Sequence, residues 1–248
     1  MLGVAFSSGC MSYNVATGRN EFIAISTPEE ISMGRAAHED ILKRYKLSQD
    51  PGKVERVDLI GRRLAQISDR QDYRYHFYLV EKDEMNAFTT PGGNIYFFTG
   101  LYDKLSTDDE IASVLAHEMG HCAARHTVKK FQAAMGYNLI GTIIFEGLMK
   151  GNRARDVAAL GTGAVMNLVF SAYSRNDEYE ADRLGVKYMY LAGYDLHAII
   201  ATFTILKQAA KGAHPPLILS THPYLDDRIK EVEKEIEAVK SKYGDGVS

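Results

Sequence analysis

The sequence predicts an α+β fold, mostly helical, with one small, mainly antiparallel sheet. Three observations carry that class. Apolar residues keep helical spacing up to about Ile67. Between Tyr73 and Thr99 the chain turns aromatic and β-branched and partly alternates, as strands do. From Thr107 helical spacing returns nearly to the end. Taken in order, Asn14–Ile25 is an extended arm. Thr27-Pro28-Glu29-Glu30 starts a helix, with a cap, proline at the first helical position and glutamate at the third. Ile31, Ala36 and Ile41 carry that helix to about Tyr45. A second helix runs from about Gly52 to Ile67, with Val54, Leu59, Leu64 and Ile67 facing inward, and Ser68–Asp72 is a polar turn.

Tyr73–Val80, Met85–Thr90 and Asn94–Thr99 are the strands. Pro91-Gly92-Gly93 divides the last two as a hairpin-like turn. Tyr73, Tyr75, Tyr78, Tyr96 and Phe97 read as core and sheet packing. The apolar stretches Met135–Met149 and Val157–Tyr173 read as buried helices. Ala213–Pro223, with its three prolines, is the main break in the helical part, and Asp226–Lys242 is a charged amphipathic last helix. Residues 1–25 are thus a tail and arm, 26–243 a single domain and 244–248 a frayed end.

The 248 residues are 46% hydrophobic and 25% charged, which excludes disordered, collagen-like and disulfide-scaffold classes. A net charge of −3 gives no electrostatic reason to expect nucleic acid as a partner. No apolar run reaches the ~18 residues needed to cross a bilayer. Two cysteines, Cys10 and Cys122, are too few for a disulfide framework. Met1–Gly9 is apolar and small-residue-rich and ends in Ser7-Ser8-Gly9-Cys10. It reads either as the remnant of a secretory signal with Cys10 as lipid-attachment site, or as a disordered tail with an incidental cysteine. Ser7 stands where an aliphatic residue is usual, and no basic region precedes it.

His117-Glu118-Met119-Gly120-His121 matches H-E-x-x-H. With this composition a chance match is an event of about 2%, so context decides. Thr107-Asp108-Asp109-Glu110 is a capping box with acidic residues at the positive helix end. Ile111, Val114, Leu115 and Ala116 continue a helical apolar face. On a helix, the i, i+4 histidines share one face and reach one ion, while Glu118 reaches a water on that ion as general base. A catalytic zinc needs a third protein ligand and an open position. Glu178 and Asp182, again i, i+4, meet that need: Glu178 completes a His-His-Glu set, and Asp182 accepts the far N–H of a ligand imidazole. Ala181, Leu184, Gly185 and Tyr188 make one side of their helix apolar. Glu180 falls on the other side, in solvent. His126, five residues past His121, is poorly spaced to share the ion. Cys122 reads as buried and unreactive.

These residues resemble the HtpX and CAAX-prenyl-protease family of zinc endopeptidases, metallopeptidase family forty-eight, which has a zincin-like fold. The likeness covers about residues 85–230 in four places. Asn86-Ala87-Phe88 with Pro91-Gly92-Gly93 and Asn94-Ile95-Tyr96 resembles its active-site edge strand. Asp109-Glu110 through Leu115 to His121, with Ala124-Arg125-His126, resembles its first metal helix. Ser174-Arg175 through Glu178 and Ala181-Asp182 resembles its second, whose glutamate is the third ligand. Thr221-His222-Pro223 with Arg228-Ile229 resembles its closing motif. Asn14–Gly18 followed by Phe22–Gly34 is similar to the arm of soluble periplasmic lipoprotein members, which favours lipidation of Cys10. The membrane helices of HtpX and the C-terminal helical repeats of some periplasmic members have no counterpart.

The resemblance implies peptide-bond hydrolysis with one zinc per chain. It implies His222 or Arg228 as donor to the oxyanion. Alternatively, since a neutral imidazole is a good zinc ligand and Pro215-Pro216 stiffens the approach, His222 occupies the fourth position and plugs the site at rest if its loop folds inward. It implies that Asn86, Ala87, Phe88, Gly92 and Gly93 form a surface where an extended peptide pairs by β-augmentation, Gly92 and Gly93 permitting close backbone approach. Unfolded or damaged polypeptides of the bacterial periplasm are the implied substrates. A different class stays open: a metallopeptidase fold acting as a chaperone or outer-membrane assembly factor with little proteolysis. Intact His117, Glu118, His121 and Glu178 favour the enzyme.

Overall fold

The computed structural model describes residues 11–134, 167–212 and 215–244. Strands β1 (Met11–Asn14) and β2 (Arg19–Phe22) form a hairpin, with Met11 opposite Phe22 and Asn14 opposite Arg19. The sequence shows only an extended arm here, because these strands are four residues each and almost wholly exposed, with no buried face to set an alternating pattern. The turn is fixed locally: Asn14 accepts the N–H of Ala16 through its side chain and that of Gly18 through its carbonyl. Helix α1 (Thr27–Arg44) is capped by Ser26 with a reciprocal bond to Glu29, one residue before the expected cap. Thr27 donates instead to Asp72, at 2.6 Å. Helix α2 (Pro51–Ala65) buries Val57, Ile60 and Leu64, whereas Leu59 is 60% exposed. The expected inward set of Val54, Leu59 and Leu64 steps by five residues, which drifts about 140° round a helix at each step.

Strands β3 (His76–Val80), β4 (Ala87–Thr90) and β5 (Asn94–Phe98) form a sheet in the order β3-β5-β4. The β4–β5 pair is antiparallel, but β3 runs parallel to β5. The sheet is therefore mixed, and the arm adds a second, two-stranded one. All of β5 is buried. A strand apolar on both faces takes the central place. Ile95 and Phe97 face Ile60, Leu64, Leu115 and Met119, while Tyr96 and Phe98 face Met33, Ala37 and Ile41 of α1.

After a short helix α3 (Thr99–Tyr102), helix α4 (Asp108–Ala123) begins at the expected Thr107–Glu110 capping box. Residues 126–134 are helical again. Helix α5 (Arg175–Leu191) is capped by Ser174 with Asp177, and Ala181, Leu184, Gly185 and Tyr188 are buried as expected. Then follow α6 (His197–Ala209), α7 (Ile218–Thr221) and α8 (Leu225–Tyr243). Most of the two apolar stretches at 135–149 and 157–173 lies outside the described residues, as does Cys10. Among the described residues no helix is long and apolar enough to cross a membrane.

Candidate functional site

Helices α4 and α5 cross at Gly120, where an added Cβ would lie 2.5 Å from the carbonyl oxygen of Ala181. Only glycine allows that approach, and it brings His117 and His121 against Glu178 and Asp182. The Nε2 atoms of His117 and His121 are 3.1 Å apart. Glu178 Oε2 lies 3.6 Å from the first and Glu178 Oε1 lies 3.4 Å from the second. His222, at the end of α7, places Nδ1 3.2 Å from His117 Nε2 and 3.0 Å from Glu178 Oε1. The ligand atoms of all four residues lie within 4.8 Å of one another. Tetrahedral zinc with bonds near 2.0–2.1 Å sets its ligands about 3.3 Å apart, so the spacings fit.

Proton positions lead to the same conclusion. His117 Nδ1 is 2.8 Å from Asp182 Oδ1, so it donates there and leaves Nε2 a lone pair. His121 Nδ1 is 2.8 Å from His126 Nδ1, and His126 Nε2 lies 3.2 Å from Glu180 Oε2. The Glu180 carboxylate accepts a hydrogen bond from His126 Nε2–H, so His126 Nδ1 accepts from His121 Nδ1–H, and His121 Nε2 is also a bare lone pair. Two lone pairs facing each other call for a cation between them. Charge agrees: Glu118, Glu178 and Asp182 are buried against one buried guanidinium, Arg228, leaving two formal negative charges that a divalent ion would cancel. Both Glu118 oxygens and His222 Nε2 lack a hydrogen-bond partner.

Burial pushes the Glu118 carboxyl up, toward the range of a general base. It pushes His121 well below the usual histidine range, keeping it neutral as a ligand must be. Burial also opposes ionisation of Glu178, but Arg228 and His222 outweigh it and hold that carboxylate charged.

Arg228, from the first turn of α8, donates through Nε and Nη2 to Asp182 at 2.7 Å each, and its Nη1 lies 2.6 Å from Glu178 Oε2. Nε, Nη1 and Nη2 thus all face the two carboxylates that border the site. His222 Nε2 points toward Glu118 Oε1, 3.4 Å away. Gly92 and Gly93, both left-handed, pack against Glu30–Ile31 and Tyr73, so the close approach is to the chain itself and not to a peptide. Asn86, Ala87 and Phe88 are buried. Among the described residues β4 pairs on one side only. Asn86 accepts the N–H of Phe98 across the sheet, and the Met85 carbonyl faces the other way, to Ile218. By alternation the backbone groups of Ala87 and Thr89 face away from β5, although both residues are buried. The Asn86 amide has no partner.

Several participants had no sequence signal. Glu180, expected in solvent, has a side chain only 11% exposed and binds Arg19 and His126. Tyr173 stacks on the His121 ring with centroids 3.8 Å apart. An apolar pocket lined by Val114, Ile199, Phe203, Leu206, Ile218 and Leu219 opens onto His117, Glu118 and His222. Cys122 is buried as expected, and burial raises its thiol pKa.

A buried carboxylate beside two imidazoles that can hold a metal, next to an apolar pocket, is the equipment of a metallopeptidase. Comparison with known proteins agrees, and the chain belongs to peptidase family M48, whose profile matches residues 51–236. It is 29% identical over 215 residues to the beta-barrel assembly-enhancing protease of Escherichia coli (strain K12), covering 84% of this chain and 44% of that protein. The Yersinia pestis protein of the same name is 27% identical over 230 residues, covering 90% and 47%. The mitochondrial metalloendopeptidase OMA1 of Schizosaccharomyces pombe is 26% identical over 230 residues, covering 90% and 66%. The chain thus spans less than half the length of these bacterial relatives.

Proposed function

We propose that the chain is a zinc-dependent endopeptidase that hydrolyses unfolded or damaged polypeptides of the bacterial envelope. The observation that carries this is the pair of facing lone pairs on His117 and His121, with Glu178 completing the set and the Glu118 carboxylate buried beside them. His117, His121 and Glu178 hold one zinc. Zinc in this position supplies a Lewis acid for the scissile carbonyl and acidifies water. Glu118 takes the proton of the attacking water and passes it to the leaving amine. Asp182 fixes the tautomer of His117, and Arg228 holds Asp182 and Glu178 in place.

The substrate strand pairs with the backbone groups of Ala87 and Thr89 and meets the unpartnered Asn86 amide; all three are buried at rest, so pairing requires this edge of β4 to be uncovered. An apolar side chain enters the pocket beside Glu118. Pairing through backbone reads little sequence, which suits unfolded chains. His222 acts as the plug: its 3.2 and 3.0 Å separations from His117 and Glu178 support a fourth-ligand role, and its Nε2 faces the base. Opening then requires α7 to withdraw. The names of the bacterial relatives support an envelope location, and Cys10 is the lipid-attachment site in this reading. Casein cleavage that depends on Glu118, with zinc content measured alongside, is the test.

A further inference from the structure

The N-terminal hairpin docks beside the metal ligands through several polar contacts. Arg19 Nη2 on β2 donates to both carboxylate oxygens of Glu180, at 2.8 and 2.9 Å. Glu21 accepts from Lys129 at 2.8 Å, and the Ala16 carbonyl accepts from Arg183 at 3.1 Å. Gln132 donates to the Phe22 carbonyl and accepts the Ala24 N–H. Arg125 follows α4 in the left-handed region, with φ of 59°. That conformation is disfavoured for a residue that carries a Cβ. Arg125 is held there by the Ile25 carbonyl at 2.6 Å and by Glu30 at 2.9 Å. The reversal turns His126 back beneath His121.

We infer that the hairpin is a working part of the metal site: Arg19, through Glu180 and His126, holds His121 in its ligating orientation and thereby sets how tightly zinc is retained. This rests on the zinc reading of the site. The proton chain runs one way only. His121 Nδ1–H donates to His126 Nδ1, and His126 Nε2–H donates to Glu180. A carboxylate at the end of the chain polarises both rings and makes His121 Nε2 a stronger donor to a metal. His117 receives the same service directly from Asp182. His121 therefore has its carboxylate relayed through an imidazole, and the partner that fixes that carboxylate lies on the arm. His126 and Glu180 are positioning residues, and exposed Arg19 is the point where movement of the arm reaches the metal.

The test is zinc affinity by chelator competition on the full chain, with the visible spectrum of the cobalt-substituted protein as a second readout. His126→Leu is expected to weaken zinc binding about 10–100-fold and to shift the cobalt bands. His126→Asn, whose Oδ1 can accept from His121 Nδ1–H, is expected to recover most of the loss. Glu180→Gln and Arg19→Ala are expected to weaken binding in the same direction by less. Wild-type affinity in His126→Leu, or equal loss in folded His126→Asn and His126→Leu, overturns the relay. If His126→Leu does not fold, unchanged affinity in both Glu180→Gln and Arg19→Ala overturns it. A wild-type chain that binds no zinc would refute the metal reading itself, a separate outcome.

Discussion

Gly120 and Ala181 touch so closely that a single methyl on Gly120 would sit 2.5 Å from the Ala181 carbonyl oxygen. The contact lies between the two ligand-bearing helices, one residue before His121. It makes helix separation, and hence ligand geometry, depend on one missing side chain. Gly120→Ala is expected to push α5 away, at a cost of about 1–3 kcal/mol in stability. Zinc retention should fall with it, because Glu178 retreats from His117 and His121. Thermal unfolding and metal content of the purified variant check this. Unchanged zinc content would mean that the helix spacing is not what sets the site.

His222 lies among the ligands and faces the base, so removing it should free both. His222→Ala is expected to raise basal cleavage of an unfolded substrate while zinc is retained through the other three ligands. A fall in activity would return His222 to the role of transition-state donor. Unchanged activity would dismiss both roles.

Arg70 ties the turn before β3 to α1, pairing with buried Glu30 at 3.0 Å and with Asp72 at 2.8 Å. Burial raises the Asp72 carboxyl, but hydrogen bonds from Arg70 and Thr27 outweigh it and hold the pKa down to about 2. A depressed carboxylate stabilises the fold above its unfolded value of ~3.9 and loses that contribution as pH falls toward the folded value. The stability difference between wild type and Asp72→Asn, from urea midpoints, should be present at pH 5 and shrink below pH 4. A difference that does not change with pH would remove this pair from the acid response.

Cys10 immediately precedes the hairpin. If it carries lipid in the cell, Cys10→Ser should move the protein from the membrane to the soluble fraction. Unchanged fractionation would exclude lipid as the anchor.

The sequence made the metal helix legible because its signals are local: a capping box, an i, i+4 histidine pair and an apolar face all lie within one short segment. The second ligand helix was legible for the same reason. What was hidden depends on distant partners. The parallel pairing of β3 with β5 follows from which strand takes the centre of the sheet, and no turn signal encodes that. His126 stays out of the group that can hold the ion, as its spacing predicts; its bond to His121 Nδ1 has no sequence signal, because it depends on the left-handed step at Arg125. Glu180 looked solvated because its partners, Arg19 and His126, lie far away along the chain or beyond that step. Arg228 is legible from its motif, but the carboxylates it holds, Asp182 and Glu178, are visible only in the packing.

The central claim is that this site binds zinc and that Glu118 does the proton work of peptide hydrolysis on it. Zinc stoichiometry and casein cleavage, measured together on wild type and Glu118→Gln, test it most directly. The amide keeps the shape of the side chain but cannot take a proton from water. Both proteins should hold one zinc per chain, and the variant should lose cleavage by at least about 10²-fold. Near wild-type cleavage in a zinc-loaded Glu118→Gln, or a folded wild-type chain that retains no zinc, would contradict it.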